Sequence, residues 1–188
     1  MRVMSSVKKS IITAVCLALC VVLPLVFYAF PNGGLIYCPL HIPVLLCGLV
    51  CGWPYGLLCG LAGPLLSTVI TGVTPATLLP VLMLECITYG VISGVLMRAV
   101  HTKKVYPDLY ISMLTAMIGG RVVSGAANAL IFARGGYSMA AWITGCFVVS
   151  LPGIIVQLAF LPSIVYALMK AGLIPNRYSA AVYWQIPS

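Results

Sequence analysis

The chain has 188 residues, of which 62% are hydrophobic and only 6% charged, with a mean hydropathy of +1.15. A soluble domain carries about 25% charged residues and must turn most of its residues to water, so a water-soluble fold is excluded. The net charge of +8 would suggest a nucleic-acid partner in a soluble protein, but in a membrane protein the distribution of charge along the chain explains it.

A membrane helix needs roughly 20 apolar residues, and six apolar segments follow one another. The N-terminal segment Met1 to Ser10 is short and basic, with Arg2, Lys8 and Lys9. The first predicted helix runs from about Ile11 to Phe30 and is too long for the core of a signal peptide. Pro31-Asn32-Gly33-Gly34 predicts a loop. The second helix, about His41 to Gly52, and the third, about Gly56 to Thr71, flank an expected turn at Trp53-Pro54-Tyr55-Gly56. Both look too short to span upright and suggest a hairpin. The fourth helix covers about Leu78 to Val100, and His101 to Asp108 reads as a polar loop. The fifth covers about Leu109 to Ala133, and Arg134 to Ser138 reads as another loop. The sixth covers about Ala140 to Ala171, with a possible break at Pro152-Gly153. The tail from Gly172, with Tyr183 and Trp184, reads as interfacial. The expectation is one all-α membrane domain over 1–188.

With the N-terminus inside, the inner segments and their flanks carry Arg2, Lys8, Lys9, Arg98, Lys103, Lys104, Lys170 and Arg177, eight of the ten Lys and Arg. This positive-inside bias predicts six spans with both termini cytoplasmic. The basic groups then face an anionic leaflet, and no nucleic-acid partner is expected.

Of the eight cysteines, Cys16, Cys20, Cys47, Cys51, Cys59, Cys86 and Cys146 fall inside apolar runs and only Cys38 lies in an expected loop. Cys16 and Cys20, like Cys47 and Cys51, share a helix face, but His or carboxylate partners at matching depth are lacking for a metal site. Small packing residues are the expectation, with no metal and no cofactor.

Ionisable groups inside spans are expensive and point to function. Glu85 falls in the outer half of the fourth helix, with Tyr89 one turn on. Arg121 falls near the middle of the fifth, followed on its face by Ser124, Gly125 and Asn128, and Gln157 near the middle of the sixth. Two readings stand side by side. One is a buried Glu85–Arg121 pair that only fixes packing. The other is a pocket, open to the outside, for a small polar solute. Asn128, Gln157 and Tyr89 favour the second, because an ion pair alone needs no further polar groups. Outer loop 1, with Asn32, Gly33, Gly34 and Tyr37, reads equally as a lid or a plain turn, and His41 as an interfacial residue or a ligand group. Ala14 and Ala18 form a small-xxx-small pair that lets another helix approach. There is no GxxxxGK[ST] loop, no HExxH and no pair of carboxylates at one depth, which argues against an enzyme.

Taken in order, Ala14-xxx-Ala18, His41-Ile42-Pro43-Val44-Leu45-Leu46 with Gly48, Tyr55-Gly56, Gly63-Pro64-Leu65-Leu66-Ser67, Glu85-xxx-Tyr89-Gly90 with Ser93-Gly94, Gly119-Gly120-Arg121 with Gly125, and Pro152-Gly153-Ile154-Ile155 with Gln157 and Pro162 resemble the substrate-binding S component of energy-coupling factor (ECF) vitamin transporters. The subgroup is the one that includes pantothenate and folate S components, and the resemblance covers nearly the whole chain. It implies a non-enzymatic six-helix subunit of a bacterial cell membrane that captures a vitamin from outside. It also implies docking, through Ala14 and Ala18, on a transmembrane coupling subunit bound to two ATPases, and delivery by toppling in the membrane. The family pocket, built from outer loop 1 and the last three helices, would here hold Glu85, Tyr89, Arg121, Asn128 and Gln157, with Asn32 in that loop and His41 at the start of the second helix as further candidate binding residues. A fold does not give a ligand; the few aromatics disfavour a large flat one, and pantothenate is the expectation. The alternatives are an autonomous secondary transporter and a membrane enzyme or assembly factor that uses Glu85 and Arg121.

Overall fold

The structure, a computed structural model, describes residues 4–27, 29, 33–72, 74–75, 77–129, 140 and 144–175. Among these the fold is all-helical. The helices are α1 (Ser6–Phe27), α2 (Gly33–Tyr37), α3 (His41–Cys51), α4 (Trp53–Thr71), α5 (Leu79–Ala99), α6 (Val105–Ala127) and α7 (Leu151–Lys170), with a π-helical segment, Thr144–Val149, before α7. Five of them, α1, α4, α5, α6 and α7, are long and apolar enough to cross a membrane. At 1.5 Å per residue, the 11 residues of α3 reach only about half of a 30 Å hydrocarbon layer. Of the two segments expected to be short, only this one is.

The local chemistry explains why. Trp53 to Gly56 is not a turn but the first turn of α4, with Pro54 at a position where its missing N–H costs nothing. The chain reverses at a single residue, Gly52, whose φ of +94° suits glycine. The polar stretch expected as a loop up to Asp108 ends four residues early. Asp108 is buried in the first turn of α6 and accepts hydrogen bonds from Thr102 N (2.9 Å) and Thr102 Oγ1 (2.7 Å), which ties the loop down at the helix N-terminus where a carboxylate is favoured. Gly33 and Gly34, expected in a loop, open α2. It packs on α7 so closely that a Cβ on Gly153 would meet the carbonyl of Ile36. The last predicted helix is broken at Ser150, and Pro152 lies just inside the new start of α7. Arg134 and the tail from Asn176 fall outside the described residues.

Helices α4 and α5 are held together by size. Gly48, Gly52, Gly56 and Gly60 recur every four residues through α3 and α4 and meet Cys86, Gly90 and Gly94 on α5. A Cβ on Gly56 or Gly90 would run into the other's carbonyl, one on Gly60 into that of Cys86, and one on Gly94 into the backbone of Trp53. Such small-residue seams let backbones approach where lipid offers no hydrophobic drive for association. Cys16, Cys20, Cys47, Cys51 and Cys59 are buried and meet where α1, α3 and α4 converge. The large apolar side chains point outward instead, as with Val7, Ile11 and Val15 on α1, Leu58, Leu61 and Val69 on α4, and Ile118 and Val122 on α6. A surface of this kind is stable in lipid and not in water.

The two ends of the bundle differ. Lys9 lies over the Tyr55 ring, and Tyr106 at the start of α6 stacks on Tyr166 near the end of α7 at 5.2 Å. This end gathers Lys8, Lys9, Arg98, Lys103, Lys104 and Lys170, with exposed Trp53, Tyr106 and Tyr166, the composition of a membrane–water interface. The opposite end holds α2 and the starts of α3, α5 and α7.

Candidate functional site

At that opposite end, the helices bring one polar level together. Glu85 is six residues into α5, Arg121 six residues before the end of α6, and Gln157 six residues into α7. The sequence placed Arg121 and Gln157 near the middle of longer helices. Six residues at 1.5 Å each set all three roughly 9 Å from the nearer bound of their α-helix.

The expected Glu85–Arg121 pair is joined through Tyr89. Arg121 Nε donates to the Tyr89 hydroxyl oxygen at 3.1 Å, and the Tyr89 hydroxyl donates to Glu85 Oε1 at 2.9 Å. Glu85 and Tyr89 are one turn apart on α5, so the carboxylate and the phenol share a face. Gly120 makes room for the Tyr89 ring, which a Cβ there would strike. Tyr89 and Arg121 are almost fully buried. A relay of charge-assisted hydrogen bonds is the arrangement that makes such burial tolerable.

His41 enters from the first turn of α3. Its ring lies 4.8 Å from the Tyr89 ring centroid, its Nε2 lies 3.7 Å from Glu85 Oε1, and its Nδ1 lies 3.3 Å from the Cys38 carbonyl oxygen. The same carbonyl accepts the His41 backbone N–H at 3.1 Å. Gln157 reaches it from α7, donating through Nε2 to Cys38 O and Tyr37 O at 3.4 Å each. The backbone after α2 therefore links α3 to α7 beside the relay. Phe27 at the end of α1 holds Tyr37, with ring centroids 5.2 Å apart.

Five of the seven residues picked out from sequence for a pocket, His41, Glu85, Tyr89, Arg121 and Gln157, thus form one connected group. Asn128 caps the end of α6, half-buried, two turns beyond Arg121. Among the described residues its side chain makes no hydrogen bond to that group. Asn32 lies outside the described residues. The hub of the group, the Cys38 carbonyl, carried no signal in sequence, since every residue has one. Ala14 and Ala18 are remote from it and exposed on the outer face of α1, whose inner face is Thr13, Cys16, Cys20 and Pro24.

Chemically, the group offers a carboxylate, a guanidinium, an imidazole and an amide, the last three on buried residues. Groups of this kind recognise small polar molecules through charge and hydrogen bonding. Compared with known proteins, residues 8–165 match the model of the family described as ECF transporter, substrate-specific component. No curated protein and no solved structure matches the chain.

Proposed function

The chain belongs to the ECF transporter substrate-specific component family, and from that premise we propose that it captures a vitamin, pantothenate before others, in a pocket formed by the polar level at the end of the bundle opposite its basic residues. Membership makes it a multi-pass membrane subunit that confers substrate specificity on an ECF transporter, works with coupling and ATPase subunits and is not itself an enzyme. The ligand and its site are our reading.

The observation that carries it is the convergence of His41, Glu85, Tyr89, Arg121 and Gln157 from four helices at one depth. A packing pair would need only two of them. Arg121 supplies a positive group for the carboxylate of pantothenate, and Asn128 and Asn32 stand or lie nearby in sequence to complete the pocket. The basic end faces the cytoplasm of a bacterial cell in this reading, so both termini are cytoplasmic and the polar level opens outward. The short helix α3 is the sixth apolar segment, and the whole chain acts as one domain. Ala14 and Ala18 are the docking face for the coupling subunit bound to two ATPases, and toppling of the domain carries the pocket inward.

The test is a titration of the purified chain in detergent with pantothenate, folate, riboflavin, thiamine and biotin, with mass spectrometry of whatever co-purifies. Tight pantothenate binding without turnover is the expected result. Binding of a different vitamin would correct the ligand, and binding of none would remove the pocket. Uptake by cells lacking the coupling and ATPase subunits would replace this mechanism with autonomous transport.

A further inference from the structure

Hydrogen-bond directions in the polar level are fixed by partners that can only accept. The Cys38 carbonyl faces His41 Nδ1, so that nitrogen carries the hydrogen, and in the neutral form of the ring Nε2 keeps a bare lone pair. The Tyr37 and Cys38 carbonyls face Gln157 Nε2, so the amide group is oriented with Oε1 directed away from them. In the relay, the Arg121 Nε hydrogen goes to Tyr89 and the Tyr89 hydroxyl hydrogen goes to Glu85.

Two acceptors stand beside these bonds. His41 Nε2 and Gln157 Oε1 are buried and have no hydrogen-bond partner among the described residues, with Gln157 only 1% exposed. His41 Nε2 and Glu85 Oε1 stand 3.7 Å apart, too far for a hydrogen bond, with electron pairs facing. A buried acceptor left without a donor is costly. Two of them, on α3 and α7, with the Glu85 carboxylate beside His41, are an arrangement waiting for hydrogens.

Resting on the reading of this level as the substrate pocket, we infer that the ligand meets His41, Glu85 and Gln157 with a donor-bearing face, made of hydroxyl, amine or amide N–H groups, and not with a carboxylate. A carboxylate there would face another carboxylate and two lone pairs. A nitrogen with two hydrogens can serve His41 Nε2 and Glu85 Oε1 together, and hydroxyls can serve Glu85 and Gln157 singly. An anionic group on the same ligand is directed to the Arg121 side. Specificity follows from the cost of mismatch, because a compound lacking the donors leaves the acceptors unpaired.

The test adds nicotinate, whose polar atoms at neutral pH only accept, to the vitamin panel, and uses the full chain in detergent. The tightest binder is expected to carry at least two O–H or N–H donors. Its affinity should fall about tenfold or more in Glu85→Gln and in His41→Phe, the loss of one hydrogen bond to a charged or buried acceptor. O- or N-methylation of that vitamin should cost a similar factor on the unmodified chain, which keeps the test valid if a variant does not fold. Nicotinate as the tightest binder, or smaller losses throughout, would overturn the donor-face inference while leaving the pocket standing. No binding by any panel member would remove the pocket and the inference with it.

Discussion

The glycine seam between α4 and α5 and the polar level at one end of the same α5 are built on opposite rules. In the seam the side chains are nearly absent, and the energy lies in backbones brought together. In the polar level the side chains are long and charged, and the energy lies in the direction of each hydrogen. The two meet within one helix turn, since Gly90, which touches Gly56, follows directly on Tyr89. A seam that leaves no room for a Cβ at Gly56 or Gly90 sets α5 close against α4 and so helps hold Glu85 and Tyr89 in register with α6 and α3. The difference teaches that the site is precise because the wall behind it is featureless.

Substitutions separate the two rules. The largest effect is expected for Arg121→Ala, which leaves Glu85 and Tyr89 without the cation that balances them. Removing one partner of a buried charged pair costs about 3–5 kcal/mol, and it should also abolish binding of an anionic ligand. Thermal unfolding in detergent and ligand titration read the two effects. A variant with unchanged stability would show that the polar level is not part of the structural frame. Next is Gly90→Val, which touches no polar group. Its added atoms would meet the Gly56 carbonyl, and overpacking of this kind costs about 3 kcal/mol. A comparison with Gly72→Ala, where a Cβ has open space and only the left-handed φ of +64° costs about 1 kcal/mol, isolates the close approach from generic loss of glycine. Equal effects at both positions would deny the seam its role. Smaller again is Tyr89→Phe, which keeps the ring against His41 and deletes only the bridge between Arg121 and Glu85. About 1–3 kcal/mol is expected, read as a fall in melting temperature with the helical signal retained.

The same contrast explains what could be read from sequence. Apolar length locates the long helices, although the last begins eleven residues after Ala140 and the short α2 is missed, and an ionisable residue inside an apolar run is visible at once, so Glu85 and Arg121 stand out. The place of Gln157 along its helix differs from expectation because the start of α7 is set locally: Ser150 separates the segment Thr144–Val149 from α7 and Pro152 lies in its first turn, whereas hydropathy runs on from Ala140. The start of α6 was missed for the opposite reason, since Asp108 is polar in composition but buried as the anchor of Thr102. His41 was legible only as one residue with two readings, because nothing in sequence places it 3.7 Å from Glu85. The role of the Cys38 carbonyl was not legible at all, because a backbone atom has no letter of its own.

The smallest effect on stability is expected where neither rule applies. Ala14 and Ala18 sit on the exposed face of α1, away from both seam and polar level, so Ala14→Trp adds bulk only where lipid or a partner would lie. An exposed substitution of this kind is expected to change stability by less than about 0.5 kcal/mol and to leave ligand affinity intact. If this face receives the coupling subunit, the indole would hold the two helices apart where a small-xxx-small pair should let them close, and uptake by cells expressing the whole transporter should be lost. Loss of uptake with binding retained therefore assigns α1 to assembly. Loss of binding as well would make α1 part of the frame that positions the pocket, through Phe27 and Tyr37, and would move the docking surface to another face of the bundle.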